Sequence, residues 1–300
     1  MPHRYLLILV TLSLLPLCAQ ASLNVFACEP VWGALAREIA GDQGSVFTAT
    51  TARQDPHHIQ ARPSLIARMR RADMLACTGA ELEIGWLPLL LRKAHNGKVQ
   101  PGRPGHFLAA NQVRLLERPT RLDRAEGDIH AQGNPHIQTD PRNILRVAKA
   151  MAARMAELDP DNADHYQARF TDFRDRWRQA MAGWRERAAP LKGMALVVHH
   201  RQWPYLERWL GLQQVGELEP KPGIPPTPGH LAKLKARLKS RPARAIIHAA
   251  YMDPAPARWL SRQTGIPEIT LPFTVGGTEQ ARDLFSLFGD TLDRLLGVVK

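Results

Sequence analysis

The stretch DPDNADHYQARFTDFRDRWRQAMAGWRERAAP, residues 159–190, carries the strongest helix signal of the chain. Asp159 can cap a helix, Pro160 suits the first turn, and no further proline occurs before Pro190. Apolar side chains recur in it at intervals of three and four residues and form one stripe: Tyr166, Phe170, Phe173, Trp177, Met181 and Trp184. A helix over 160–188 would be about 43 Å long at about 1.5 Å per residue, which is enough to connect two lobes stiffly.

Strand-like and helical segments alternate on both sides of this helix. The predicted strands are 23–27, 45–49, 73–77, 194–198, 213–218, 245–248 and 268–271, and the predicted helices are 30–40, 63–71, 83–95, 141–157, 203–210, 228–239, 255–264 and 279–296. Such alternation is typical of an α/β fold in which parallel sheets are flanked by helices. We expect an N-terminal lobe over 22–158, a long connecting helix over 159–189 and a C-terminal lobe over 190–300.

The first 21 residues have the three parts of a secretory signal peptide. Met1 to Arg4 is basic, residues 5–17 form an apolar run too short to cross a bilayer, and Ala19-Gln20-Ala21 matches the small-x-small cleavage pattern. A lipid anchor at Cys18 is less favoured, because the residues before it are not small. No later stretch reaches the roughly 18 uninterrupted apolar residues of a membrane span. We therefore expect a cleaved leader and a periplasmic protein.

The composition is basic, but the positive charges are not clustered as they are in nucleic-acid-binding surfaces. The chain has 40 Lys and Arg against 28 Asp and Glu, a formal charge of +12 that becomes +11 once Arg4 leaves with the leader. These charges are spread along the chain, and the richest stretch, 174–187, is interleaved with the apolar stripe. We interpret the excess as a solvated surface and expect a monomer without a nucleic-acid partner. A cation site in such a protein must act by direct coordination, since long-range attraction is absent.

Two cysteines remain after loss of the leader, Cys28 and Cys77, an even pair for an oxidising compartment. Each stands at the end of a predicted strand, and neighbouring parallel strands would bring the two sulfurs together. Without CxxC spacing the pair makes a poor metal site, so a disulfide is the favoured interpretation.

Three histidine settings suggest metal binding. His57 lies in Asp55-Pro56-His57-His58, His136 lies in Gly133-Asn134-Pro135-His136, and His200 follows the strand that ends at Val198. All three fall on loops, and ligands of open α/β sheets bind outside the carboxyl ends of the strands. Neutral imidazole is the commonest zinc ligand, and three imidazoles leave one tetrahedral position free. The intervals of 79 and 64 residues match no local metal motif, so spacing alone is weak support.

Four motifs in order resemble the metal-specific solute-binding proteins of bacterial ABC transporters, in particular their zinc-binding branch. They are DPHHIQARPSLIARMRRADMLACTGAELE (55–83), GNPHIQTDPRN (133–143), VVHHRQWPYLERWLGL (197–212) and LPFTVGGTEQARDLFSLF (271–288). The resemblance covers the whole chain after the leader. It implies two α/β lobes joined by a rigid helix, with a zinc ion held between the lobes for delivery to a membrane permease. It also implies that the ligand histidines are His57, His136 and His200.

The resemblance also indicates which histidine of each adjacent pair, His57-His58 and His199-His200, is the ligand. The motif histidines match His57 and His200, and neighbouring residues of an extended segment point to opposite sides. His58 and His199 are therefore expected to pack or to hydrogen-bond outside the ligand set.

Two departures from relatives bear on the metal. Manganese-binding relatives place carboxylates where His200 stands and in the segment that corresponds to 272–276, which has no acid here. An all-nitrogen ligand set favours zinc over manganese. The histidine-rich loop of many zinc-binding relatives is reduced to His130, which with water is a candidate for the fourth ligand.

Two other functions use similar residues. A zinc-dependent hydrolase could also have three histidines and a water, but the sequence has neither HExxH nor GxSxG. A surface or adhesin-like protein stabilised by metal would share the leader and the lobes. We expect no enzymatic activity.

Overall fold

The computed structural model describes residues 22–119, 127 and 130–299. The predicted leader and Cys18 lie outside the described residues. Among those residues no helix combines the length and the apolar character that crossing a membrane requires.

The first lobe is built on a parallel sheet of four strands with the spatial order β2-β1-β3-β4. The strands are β1 (Leu23–Ala27), β2 (Gly44–Thr48), β3 (Met74–Cys77) and β4 (His106–Leu108), and the helices of this lobe are α1 (Pro30–Ala40), α2 (Pro63–Arg70), α3 (Leu87–Ala94) and α4 (Pro141–Leu158). Three strands agree with the predicted ones. The fourth, β4, was not predicted, because three residues are too few to show an alternating pattern.

The second lobe repeats this topology with the strand order β6-β5-β7-β8, again all parallel. Its strands are β5 (Ala195–Val198), β6 (Gln213–Glu217), β7 (Ala245–Ala249) and β8 (Glu268–Leu271), and its helices are α6 (Pro204–Leu210), α7 (Pro228–Leu238), α8 (Ala255–Thr264) and α9 (Leu284–Leu296). Helix α9 begins five residues later than predicted because Asp283 caps it, accepting a hydrogen bond from the backbone N–H of Ser286. The predicted fold class, two parallel α/β lobes, is confirmed.

Helix α5 (Ala163–Arg187) connects the lobes and packs against α1, α4 and α9. The predicted start at residue 160 is a short 3-10 turn, so the α-helix has 25 residues, about 37 Å at about 1.5 Å per residue. Trp177 shows how the aromatic stripe joins the lobes. Its Nε1 donates to the carbonyl of Pro141 over 2.9 Å, and its ring packs on Phe285 and Phe288 of α9. One continuous apolar core therefore extends from α1 through α5 to α9.

The predicted disulfide Cys28–Cys77 is present. Strands β1 and β3 are neighbours, Cys28 directly follows β1 and Cys77 is the last residue of β3, and the two Cα atoms lie 4.8 Å apart. Both cysteines are fully buried. Glu83 lies close to both sulfurs, but the thiols are consumed in the disulfide, so this group is not a metal site.

A buried carboxyl pair, Glu29 and Glu83, adjoins the disulfide. Glu83 accepts hydrogen bonds from the backbone N–H groups of Thr78 (2.7 Å) and Gly79 (3.0 Å), and Glu29 accepts one from the Thr78 hydroxyl (3.0 Å). Burial and the neighbouring Glu83 charge raise the pKa of Glu29 well above its ordinary value, and burial raises the pKa of Glu83 to about 7. Because the backbone donors favour an ionised Glu83, the proton of the pair resides on Glu29.

Candidate metal centre

The fold brings His57, His136 and His200 together between the lobes. His57 lies in the loop after β2, His136 immediately precedes the turn into α4, and His200 follows β5. Each offers one ring nitrogen, and these three atoms lie within 4.8 Å of one another. The ring centroids are 5.6 Å apart for His57–His136, 6.0 Å for His57–His200 and 5.7 Å for His136–His200. His200 follows the central strand at the point where the order of the second sheet reverses, which is where open α/β sheets bind ligands.

Two of the histidines are oriented by the same local motif, Asx-Pro-His. In the first lobe, Oδ1 of Asp55 accepts from the backbone N–H of His57 (3.0 Å) and lies 2.7 Å from His57 Nδ1. In the second copy of the motif, which precedes α4, Oδ1 of Asn134 accepts from the backbone N–H of His136 (3.0 Å) and lies 2.9 Å from His136 Nδ1. The Asx side chain thus folds the loop and orients the imidazole two residues later.

A more distant residue, Glu219, holds the third histidine. Its Oε2 lies 2.7 Å from Nδ1 of His200 and also accepts from the backbone N–H of Gly223 over 2.9 Å. Both side chains are about nine-tenths buried. Glu219 belongs to the loop between β6 and α7, so the second lobe supplies both the ligand candidate and its support.

These contacts determine which ring nitrogen is available. Carboxylate and amide oxygens only accept hydrogen bonds, so Nδ1 of each of the three histidines carries the proton and Nε2 keeps its lone pair. Nε2 of His57 and Nε2 of His136 are buried and have no hydrogen-bond partner in the described part of the chain. Buried polar atoms normally have partners, so these lone pairs are suited to a bound cation.

The electrostatics of the centre favour a neutral His136 ring. Burial, followed by the charges of His57, His200 and His130, lowers the pKa of His136 well below its ordinary value. Burial alone would raise the pKa of Asp55, but the hydrogen bond and charge of His57 outweigh it and lower that pKa. A dication at the centre would therefore meet a neutral His136 ring, with the carboxylates of Asp55 and Glu219 directly behind the rings of His57 and His200.

An aromatic wall closes the site against the second lobe. The ring of Phe273 lies 5.7 Å from that of His136, 5.5 Å from Trp203 and 5.6 Å from Tyr251, measured between centroids. Phe273 has φ of +62°, which is an uncommon and strained conformation for a bulky residue. The adjacent Thr274 is anchored to the first lobe, because its hydroxyl accepts from the backbone N–H of Val31 over 3.1 Å. The strained backbone of Phe273 thus places its apolar ring against His136 at the lobe boundary.

The other histidines take different positions. The His130 ring lies 5.4 Å from His57 and 6.1 Å from His136 between centroids, and its buried Nε2 has no partner among the described residues. Burial, with the charges of His57 and His200, lowers the pKa of His130 to about 3. His58 is solvent-exposed, whereas His199 is buried next to His200, where burial lowers its pKa to about 4. Neither His58 nor His199 joins the group of three converging nitrogens.

The residues that orient the three histidines were not predicted from the sequence. Asp55 and Asn134 were visible as a repeated Asx-Pro-His pattern, because an Asx residue can fold a turn onto the residue two places on. Glu219 had no such signal, since it stands 19 positions from His200 in a proline-rich loop.

The chain is similar to proteins of metal uptake over most of its length. The family model described as "ZnuA: Zinc-uptake complex component A periplasmic" matches residues 25–297. The lipoprotein SloC of Streptococcus mutans, a metal ABC transporter substrate-binding protein, is 24% identical over 90% of this chain and 89% of its own length. The manganese ABC transporter substrate-binding lipoprotein PsaA of Streptococcus pneumoniae is 20% identical over 91% of this chain and 88% of its own length. The zinc uptake protein ZnuA of Yersinia pestis is 23% identical over 72% of each chain.

Solved structures share the fold. A crystal structure of ZnuA superimposes with a TM-score of 0.76 at 20% identity and covers 93% of this chain and all of its own. A mutant of the laminin-binding adhesin Lmb from Streptococcus agalactiae gives a TM-score of 0.75 at 19% identity, with the same coverage. The family is one of transport proteins, which confirms the expectation that the chain is not an enzyme. The protein belongs to the zinc-uptake component A family, the extracytoplasmic metal-binding proteins that serve ABC transporters.

Proposed function

We propose that this protein captures a single zinc ion between its lobes and delivers it to the membrane permease of an ABC importer. The proposed ligands are Nε2 of His57, His136 and His200. The observation that carries the proposal is the convergence of three nitrogen donors within 4.8 Å, two of them buried lone pairs without hydrogen-bond partners among the described residues.

The donor set supports zinc as the cargo in preference to manganese. All three converging atoms are imidazole nitrogens, whereas manganese is better suited by carboxylate oxygens. Segment 272–276 contributes a phenylalanine ring and an engaged threonine hydroxyl to the site, and no acid. The relatives divide between zinc and manganese proteins, so the support for zinc comes from this chain's own residues.

The carboxylates of Asp55 and Glu219 support a dication without coordinating it. Each accepts from the Nδ1–H of a proposed ligand, which increases the basicity of the opposite nitrogen. Together their two negative charges match the charge of the ion. This local pair explains how a protein with a strongly basic composition can hold a cation.

The fourth coordination position is proposed for His130 or a water molecule. His130 approaches His57 and His136 from a loop, and its buried Nε2 has no partner within the described residues. A loop residue in this position could leave the ion first when the cargo is released. We further propose that the protein acts in the periplasm as a monomer.

A competition titration tests the choice of cargo. Metal-free protein would be titrated with zinc and with manganese against a chromophoric chelator at constant pH. We expect one zinc ion per chain and an affinity for zinc at least about 100-fold higher than for manganese, since manganese gains little from three imidazoles. Equal affinity, or tighter binding of manganese, would overturn the assignment of zinc.

A further inference from the structure

A second concave site lies at the lobe boundary, apart from the histidine centre. It has a volume of about 430 Å³ and is lined from the first lobe by Asn111, Gln112 and the start of α4, and from the second lobe by α6. Its charged lining consists of Arg114, Arg142, Arg146, Arg208 and Asp140, a net formal charge of +3.

Most of this positive charge is not neutralised by the protein. Of the described basic residues, Asp140 pairs with Arg142 alone, through contacts of 2.7–3.0 Å. Arg146 donates to the neutral amide oxygen of Asn143, over 3.0 Å, and to no carboxylate within the described ranges. Arg114 and Arg208 are exposed and form no ion pair with any described residue. Three guanidinium groups therefore line one cavity without a carboxylate partner in the part of the chain that the structure describes.

The basic lining continues into an adjoining cavity of about 670 Å³. The two cavities share Arg142 and Arg208, and the second adds Arg185 and Lys192 near the end of α5. Both added side chains are exposed. An extended anion could thus contact the first lobe, the second lobe and the connecting helix at once.

We propose that this arginine-lined cavity binds a small soluble oligoanion that bears two or more phosphate groups. Planar guanidinium groups bind phosphate oxygens in a bidentate manner, and the amides of Asn111 and Gln112 supply further polar contacts. Because the site is concave, it can enclose a small ligand, whereas a flat membrane surface would contact only its rim. The ligand would bridge Arg114 and Arg146 of the first lobe to Arg208 of the second.

Bridging has a mechanical consequence for the lobes. Without an anion, like charges from the two lobes face one cavity and repel one another. Close by, the Tyr205 hydroxyl of α6 donates to the carbonyl of Asn134 (2.7 Å) and accepts from the backbone N–H of Leu116 (2.9 Å). An anion that neutralises the arginines would add to this contact and stabilise the paired lobes.

Calorimetric titration with pyrophosphate tests the proposal. The protein would first be freed of metal on a chelating resin, because pyrophosphate itself binds divalent cations. We expect saturable binding of one pyrophosphate per chain at about 150 mM salt, tighter binding of tripolyphosphate, and a melting temperature that rises with either ligand. The double variant Arg114→Gln/Arg208→Gln should weaken pyrophosphate binding at least about tenfold, since each lost arginine removes charge-assisted hydrogen bonds.

A charge-matched double variant separates a specific site from general attraction. Arg258→Gln/Arg262→Gln removes the same charge from exposed positions of α8, outside both cavities, and should change the affinity less than about threefold. Equal weakening by both double variants would overturn the proposal. Absence of pyrophosphate binding would also overturn it. That holds even if phosphatidylglycerol vesicles or oligoglutamate bound through the same arginines.

Discussion

Oε2 of Glu219 lies 2.7 Å from Nδ1 of His200, and both side chains are about nine-tenths buried. The carboxylate fixes the ring so that Nε2 is directed toward the other two histidines. Removing it should therefore impair metal binding without removing a ligand. We expect Glu219→Ala to weaken zinc binding by about 10- to 100-fold.

A neighbouring acid provides the control for this prediction. Glu217 lies at the end of β6 and contacts the side chain of Gln214 without contacting any of the three histidines. Chelator competition on Glu217→Ala should give an affinity close to that of the parent. If Glu219→Ala also binds zinc like the parent, the carboxylate does not support the ligand.

The Cys28–Cys77 disulfide should stabilise the first lobe substantially. It closes a loop over a separation of 49 residues, which corresponds to about 4 kcal/mol in the chain-entropy treatment. Replacing both cysteines by alanine should lower the melting temperature by roughly 10 °C for a chain of this size. Thiol labelling of the unfolded, unreduced parent should detect no free thiol at Cys28 or Cys77. Labelling of both would contradict the bridge.

The Glu29–Glu83 pair should make stability depend on pH. The pKa of each carboxyl is raised in the folded protein, that of Glu83 to about 7, so the folded state binds more protons than the unfolded state above about pH 4.5. The stabilisation that the two protonated carboxyls contribute is fully present below about pH 4.5. It is lost as the pH rises through 7. Between pH 5 and 8 the free energy of unfolding should fall by on the order of 1–3 kcal/mol more in the parent than in Glu29→Gln.

Denaturant unfolding at a series of pH values would measure this difference. Glu29→Gln keeps the shape and the hydrogen-bonding capacity of the protonated carboxyl but cannot ionise. Parallel pH profiles for the parent and Glu29→Gln would show that the pKa of Glu29 is not raised in the folded protein.

The long helix should limit the motion that accompanies metal binding. Trp177 of α5 contacts Pro141 of the first lobe and Phe285 of the second, within one continuous core. Wide hinge closure would break that packing, so we expect metal release to use local rearrangement or a slight tilt of the lobes. Small-angle scattering of metal-free and zinc-loaded protein should give nearly equal radii of gyration. A marked compaction with zinc would contradict a stiff connection.

The sequence predicted the architecture well because its signals were local. Buried parallel strands such as β5 (Ala195–Val198) are short apolar runs, and the stripe from Tyr166 to Trp184 has the helical period over many turns. The helix predicted over 83–95 is shorter, 87–94, because Trp86 has a non-helical backbone (φ of −140°) and precedes a first turn that contains Pro88. The division at residues 158 and 190 remains a prediction.

The site was less accessible to sequence reasoning because it depends on long-range contacts. Spacing identified His57, His136 and His200 only as histidines on loops, and the resemblance to a family of binding proteins singled them out. The availability of each Nε2 depends on Asp55, Asn134 and Glu219. The first two are local to their histidines, whereas the contact of Glu219 exists only in the folded lobe.

The central claim is that His57, His136 and His200 together hold one zinc ion, and a calorimetric zinc titration of five alanine variants tests it most directly. We expect His57→Ala, His136→Ala and His200→Ala each to weaken zinc binding by more than about 100-fold, beyond the usual effect of losing a residue that only supports a ligand. His58→Ala and His199→Ala serve as controls and should retain one tight site per chain. Loss of binding in His199→Ala with retention in His200→Ala would contradict the assignment within that pair, and parental binding by all five variants would contradict the site itself.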